Sequence, residues 1–287
     1  MHSSYSPTVR RRRLGFELRR LREEHGLTLD AAAKQAGVPR ATVGKIETGE
    51  ARRTRARDLD ALADLYEVAS EAREALHQLS RESKERGWWS RYKEIFSEYA
   101  LPDFEAEACA LRTYEAQVIP GLFQTPSYAE EVFKGGRATD DPSIARRVEA
   151  RITRQQILSR VNAPTMTAVI DEGALRRLVG SRAIMVEQLE HLEHLGLRHN
   201  IDIQVLPFTN GVHLGMAGAF TILDFPEPRD PSIVYVSTAA DGLYLEQPSD
   251  IERYNMTFSN VQGVALSSTA SMRFIASVKA SIESDQE

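Results

Sequence analysis

Ala32-Ala33-Lys34-Gln35-Ala36-Gly37-Val38-Pro39-Arg40-Ala41-Thr42-Val43-Gly44-Lys45-Ile46-Glu47-Thr48-Gly49 sets the architecture of the first quarter of the chain. It reads as two short helices separated by a tight break at Gly37-Val38-Pro39. Ala32, Ala33 and Ala36 form the buried face of the earlier helix, and Pro39 restarts the chain as the later one, through Glu47. Gly49 closes it. Working backwards, Thr28 N-caps the earlier helix and Asp30 suits its positive end. Gly26 stops a first helix whose Leu14, Leu18 and Leu21 recur at i, i+4 and i+7. Working forwards, helices are predicted near Arg57–Val68 and Ser70–Ser83, which makes five helices in an all-α domain over residues 1–84.

Helical spacing places Val43 and Ile46 on the inward face of the third helix, with Arg40, Ala41, Gly44 and Lys45 facing outward. Such a helix can seat its N-terminal half in a major groove about 12 Å wide. The small Ala41 and Gly44 allow close approach to base edges. The Arg40 guanidinium can fork onto guanine O6 and N7, and Lys45 can reach a guanine or a phosphate.

Together with Leu14-Gly15-Phe16-Glu17-Leu18-Arg19-Arg20-Leu21-Arg22 and Gly26-Leu27-Thr28, the quoted stretch resembles the Xre/Cro-type helix-turn-helix over about residues 10–70. The resemblance implies a transcriptional regulator that binds double-stranded DNA, usually as a homodimer. It implies Arg40, Ala41, Thr42, Gly44 and Lys45 as the reading surface, with Arg52, Arg53 and Arg55 on the sugar-phosphate backbone or in the minor groove. It also implies an Arg22–Glu47 ion pair locking the first helix to the third. Leu29 stands where the family often has a glutamine that contacts a phosphate.

The charge distribution points the same way. Net charge over 287 residues is −5, yet residues 1–57 hold 14 Lys and Arg against 6 Asp and Glu, while the remainder holds 22 against 35. A basic head on an acidic protein fits a polyanionic partner for the head alone, and equally a solvated Arg-rich helix. No apolar run approaches the ~20 residues that span a bilayer. Arg10 to Arg13 are followed by an amphipathic segment, which argues against a secretory signal. Cys109 is the only cysteine, so an intramolecular disulfide is excluded. A cytoplasmic protein, nucleoid-associated when on DNA, is expected.

Beyond residue 84 the pattern is mixed α+β, read as one domain over 85–287. The aromatic segment Arg86–Tyr99 (Trp88, Trp89, Tyr92, Phe96) reads as the start of a second core, followed by helices around Asp103–Glu115, Thr125–Lys134 and Ser143–Val161. Strands are predicted at Thr165–Ile170, Ile201–Leu206, Ala219–Phe225, Ser232–Ser237 and Leu243–Glu246, with helices carrying Met185, Leu189 and Leu192, spanning Ile251–Leu266, and near the C-terminus. Trp88-Trp89, Pro120-Gly121-Leu122-Phe123-Gln124-Thr125-Pro126-Ser127-Tyr128-Ala129, Arg151-Ile152-Thr153-Arg154-Gln155-Gln156 and Val205-Leu206-Pro207-Phe208 are among the stretches that resemble an antitoxin-like C-terminal domain of unknown function found in actinobacterial regulators. That resemblance implies a small protein partner encoded nearby. An antitoxin-like protein that holds such a partner and autoregulates its operon is the alternative to a ligand-sensing or dimerising regulator.

No arrangement of residues points to an enzyme, a cofactor or a metal. Asp171 and Glu172 diverge on a strand-to-helix turn and read as caps. His191, His194 and His199 read as a solvated face, lacking the ligand set of a zinc site. Gly211–Gly218 reads as a hairpin loop rather than a phosphate cradle, Arg147, Arg151 and Arg154 as a solvated stripe rather than a seat for an anionic ligand or acidic partner, and Cys109 as part of an apolar helix core.

Overall fold

A computed structural model describes residues 7–51, 53–83, 91–92, 95, 101–135, 143–226, 230–238 and 242–284. The chain divides into two compact units, residues 1–107 and 108–287.

The first unit is helical: α1 (Pro7–Glu24), α2 (Leu29–Ala36), α3 (Arg40–Glu47), α4 (Ala56–Leu65), α5 (Ser70–Glu82) and a short α6 (Leu101–Glu107). The signals that start and stop these helices are local. Thr28 Oγ1 accepts the Ala31 amide at 3.2 Å, and Gly37 leaves α2 at φ 65°, a left-handed conformation that costs a glycine nothing. Leu14 and Leu18 of α1 enclose a core with Ala32, Ala33, Val38, Val43, Ile46, Leu59, Leu62 and Tyr66. Arg10 reaches Glu82 at 3.2 Å and Glu107 at 3.3 Å, which ties both α5 and α6 to the first helix. Trp88, Trp89 and Phe96 lie outside the described residues; Tyr92 is buried.

The second unit is built on a six-stranded mixed sheet of β1 (Ala110–Glu115), β2 (Thr165–Asp171), β3 (Ile201–Leu206), β4 (Phe220–Asp224), β5 (Ile233–Ser237) and β6 (Gly242–Leu245), in the order β3-β2-β1-β4-β5-β6. Strands β1, β2 and β3 are parallel, whereas β1, β4, β5 and β6 pair antiparallel. The helices are α7 (Pro126–Lys134), α8 (Ser143–Gln155), α9 (Glu172–Arg176), α10 (Arg182–Leu195), α11 (Pro248–Val264) and α12 (Ser268–Ser284). Phe258 and Val261 of α11 pack on the sheet face formed by Tyr114, Val169, Phe220, Ile222 and Val234. The two-domain architecture, with the five N-terminal helices α1 to α5 and a mixed α+β unit, is that expected from the sequence; α6 also falls in the first unit.

Three expectations need correction. The segment read as one helix over Asp103–Glu115 ends its helix at Glu107 and continues as β1, the strand joining the parallel and antiparallel halves of the sheet. Cys109, read as core, is exposed at the start of that strand, its Sγ 3.4 Å from the Asp224 carbonyl oxygen. The Gly211–Gly218 segment is not a hairpin. It lies within the connection between β3 and β4, which are separated in the sheet by β2 and β1, so it is part of a crossover.

Candidate nucleic-acid interface

Helix α3 is positioned by its inner side. Val43 and Ile46 are buried, and α1 crosses close behind. A Cβ built on Gly15 of α1 would meet the Ile46 carbonyl oxygen and lie 2.7 Å from the Glu47 carbonyl oxygen, so only glycine permits this approach. The crossing is locked by charge. Arg22 donates from Nε to Glu47 Oε1 at 2.8 Å and from Nη2 to Oε2 at 2.9 Å, with the side chains 11% and 6% exposed. Its Nη1 donates to the Leu27 carbonyl at 2.8 Å, so one guanidinium also closes the loop after α1. The hydrogen bonds to Glu47 hold the Arg22 pKa above its ordinary value. Nearby, burial first and then the charge of Glu47 push the Tyr66 phenol up to about 12, Arg22 opposing. The ion pair implied by the resemblance is therefore present, and the structure shows it to be bidentate and largely buried.

The outer side of α3 is open. Arg40, Ala41 and Lys45 are exposed, and Thr42 is half-buried. Gly44 is also half-buried: its absent Cβ would point at Leu29 of α2, 3.6 Å away, so Gly44 borders the open face rather than cresting it. Leu29 thus fills a packing role across the turn. Arg53 and Arg55 are exposed in the segment between α3 and α4; Arg52 lies outside the described residues. One residue on this side escaped the sequence reading as a functional group. Asp30, taken as a dipole partner for α2, has an oxygen 2.6 Å from Arg40 Nε.

Residues 13–76 match the family described as a helix-turn-helix domain, and residues 99–277 match the domain of unknown function DUF5753. The chain belongs to the DUF5753 family. Its helix-turn-helix domain implies a DNA partner and a role in transcription regulation. No curated protein and no solved structure matches the chain.

Within the DUF5753 unit the polar residues singled out from the sequence serve mostly as scaffold. Asp171 caps α9 by accepting the Gly173 amide at 2.8 Å. Glu172 accepts the Phe208 amide at 2.8 Å and Arg176 Nε at 2.6 Å, pinning the β3–β4 crossover. His191 is half-buried, and burial lowers its pKa, with His194 adding to the effect; His194 and His199 are exposed. Among the described residues no group of three or more His, Cys, Asp or Glu could hold a metal ion. The arginine stripe is not a solvated one. Arg147 donates to Ser143 Oγ at 3.2 Å, and Arg151 hydrogen-bonds Gln124 and stacks 4.5 Å from the centre of the Phe133 ring. Arg151 and Arg154 are half-buried near Glu115. Burial pushes the Glu115 carboxyl up to about 7, against the pull of Arg154 and Arg151. No helix among the described residues is long and apolar enough to cross a membrane.

Proposed function

We propose that the chain is a sequence-specific transcriptional regulator that binds double-stranded DNA through α3 as a homodimer, in the cytoplasm and on the nucleoid. The observation that carries this is the two-sided character of α3. Val43, Ile46 and the Arg22–Glu47 pair fix its inner side, which leaves Arg40, Ala41 and Lys45 exposed, and Arg53 and Arg55 are exposed in the segment that follows. A rigid helix with exposed base-reading and phosphate-reaching cations is what major-groove recognition needs. We assign no catalytic step, cofactor or metal to the chain.

Dimerisation follows from the size of the reader. One eight-residue recognition helix covers too few base pairs to select a genomic site, and two copies on half-sites about one helical turn apart solve the problem. We place the pairing in the DUF5753 unit, at the crossover from β3 to β4. Residues 207–223 hold no Asp, Glu, Lys or Arg, and Phe208, Val212, Leu214 and Met216 are each more than half exposed there. In a protein whose residues beyond the head are strongly acidic, an uncharged apolar face is where two copies meet without like-charge repulsion.

The test is selection of duplexes from a random-sequence pool by the full chain, followed by titration at several salt concentrations and sedimentation. A symmetric enriched motif, affinity falling steeply with salt and a dimer disrupted by Val212→Asp with Leu214→Asp are the expected results. No enriched motif, or salt-independent binding, overturns the DNA reading. A monomer with and without DNA overturns the pairing and returns the apolar face to the alternative of holding a small protein.

A further inference from the structure

Asp30 is an acidic residue on the DNA-facing side of a basic head, where its charge opposes approach to phosphates. Stabilisation of α2 does not explain its geometry. The N-cap is supplied by Thr28, and the Asp30 carboxylate reaches across the helix-turn-helix to Arg40, the first residue of α3. The side chains of Asp30 and Arg40 are 71% and 64% exposed, so the ion pair adds little to folding, because water screens it and the long arginine side chain must be held still. Its consequence lies in orientation. The carboxylate oxygen lies nearest Nε, at the inner end of the guanidinium, and among the described residues the two terminal Nη groups of the fork make no hydrogen bond.

We propose that Asp30 is a specificity-determining positioning residue: it holds the Arg40 guanidinium with its terminal edge presented to a guanine of the major groove. The inference rests on the reading of α3 as the recognition helix. An unbuttressed arginine samples many rotamers and swings as easily onto a phosphate as onto a base. Held by Asp30, it loses less freedom on reaching guanine O6 and N7. It is also discouraged from the phosphate, because the acidic partner would be drawn towards that negative charge with it. Asp30 thus exchanges general DNA affinity for discrimination. This predicts opposite signs for two quantities that ordinary damage to the module would move together.

The experiment uses the full chain, the duplex site recovered by selection, its single-base-pair variants and a random duplex. Arg40→Ala is expected to cost about 5- to 150-fold in discrimination at one base pair, the range of a single bidentate guanine contact. Asp30→Ala is expected to lose at least threefold of discrimination at that same base pair and to bind the random duplex as tightly as the parent chain or tighter. In the Arg40→Ala background it removes no further discrimination. Asp30→Asn, isosteric but uncharged, shifts both quantities the same way by less, and serves as the readout if Asp30→Ala lowers the melting temperature. If Arg40→Ala alters one base-pair preference while both Asp30 variants retain it in full, the positioning role is wrong and the recognition helix stands. A uniform loss of affinity for every duplex on Asp30→Ala likewise overturns it. If Arg40→Ala changes preference nowhere, the recognition-helix reading itself is wrong and the role of Asp30 falls with it.

Discussion

Gly15→Ala is the sharpest perturbation of the reader that the structure offers. On sequence grounds alone it is benign, because alanine in place of glycine inside a helix gains up to about 1 kcal/mol in helix propensity. At Gly15 the added methyl would instead run into the Ile46 carbonyl oxygen, 2.7 Å from the Glu47 carbonyl oxygen and 2.9 Å from the Glu47 carbonyl carbon. These are backbone atoms in the last turn of α3, so no side chain can swing away; α1 and α3 must separate along their crossing. Overpacking of this kind costs about 1–3 kcal/mol. The Arg22–Glu47 pair spans the same crossing and is stretched by the same movement. Three backbone atoms are overlapped at once, so the cost falls in the upper part of the overpacking range, about 2–3 kcal/mol. Set against the propensity gain, the net expectation is a loss of about 1–2 kcal/mol, with α3 displaced even in molecules that remain folded. Native-state hydrogen exchange on the full chain reads this locally. Amides of Val43 and Ile46 are expected to exchange roughly 5- to 30-fold faster in the variant, and affinity for the selected duplex to fall under conditions where the head is fully folded. Gly44→Ala is the internal control. Its methyl would meet only Leu29 Cδ2 at 3.6 Å, ordinary contact, so the propensity gain of up to about 1 kcal/mol is realised. Equal or better protection in Gly15→Ala than in the parent would refute the close crossing and with it the placement of α3.

Glu47→Ala is expected to destabilise the head by about 3–5 kcal/mol, because it strands the partly buried Arg22, while base preference among folded molecules is unchanged; thermal melting with a duplex-selection assay checks both halves. Arg53→Ala is expected to weaken selected and random duplexes alike and to lower the salt slope by about one unit, since a phosphate contact carries little sequence information. Glu115 links the DUF5753 unit to pH. Its folded pKa of about 7 lies above the ordinary 4.5, so the folded state holds a proton that the unfolded chain releases between those values. Stability from this group is full below about pH 4.5 and is lost as pH rises through 7. Glu115→Gln should therefore stabilise the unit by an amount on the order of 3 kcal/mol above pH 8 and by little at pH 4, as read by denaturant titration. An equal effect at both pH values would show that Glu115 ionises normally.

The reader was legible because its signals are local. Thr28, Gly37, Pro39 and the apolar spacing of Leu14 and Leu18 act within a few residues of the structure they set. Strand β1 was hidden for the opposite reason. It lies between β2 and β4 in the sheet, with Leu111 and Thr113 buried from one side and Tyr114 from the other. A strand covered on both faces shows no alternation, and the spacing Phe104, Ala108, Leu111 imitates a helix running through it. The crossover at Gly211–Gly218 was misread because glycine clusters mark turns without saying which strands they join. The arginine stripe of α8 was misread because its partners, Gln124 and Phe133, lie on segments whose approach only the tertiary fold defines. Asp30 lay in plain view, but the partner that gives it meaning is ten residues away across a turn.

The pairing of β1 also sets an order of events during synthesis. Leu111 is matched with Met166 on one side and Leu223 on the other, so the strand waits for some 110 further residues before its second neighbour exists. At ribosomal speeds of about 5–20 residues per second that delay is roughly 5–20 s. The contacts among α1 to α5 are short-range by comparison, and helical modules of that kind close in microseconds to milliseconds. The helix-turn-helix is therefore formed while the sheet is still incomplete, and each nascent chain passes through a period with a finished reader and an unfinished DUF5753 unit. Any restraint the DUF5753 unit places on DNA binding reaches the chain only after that window closes.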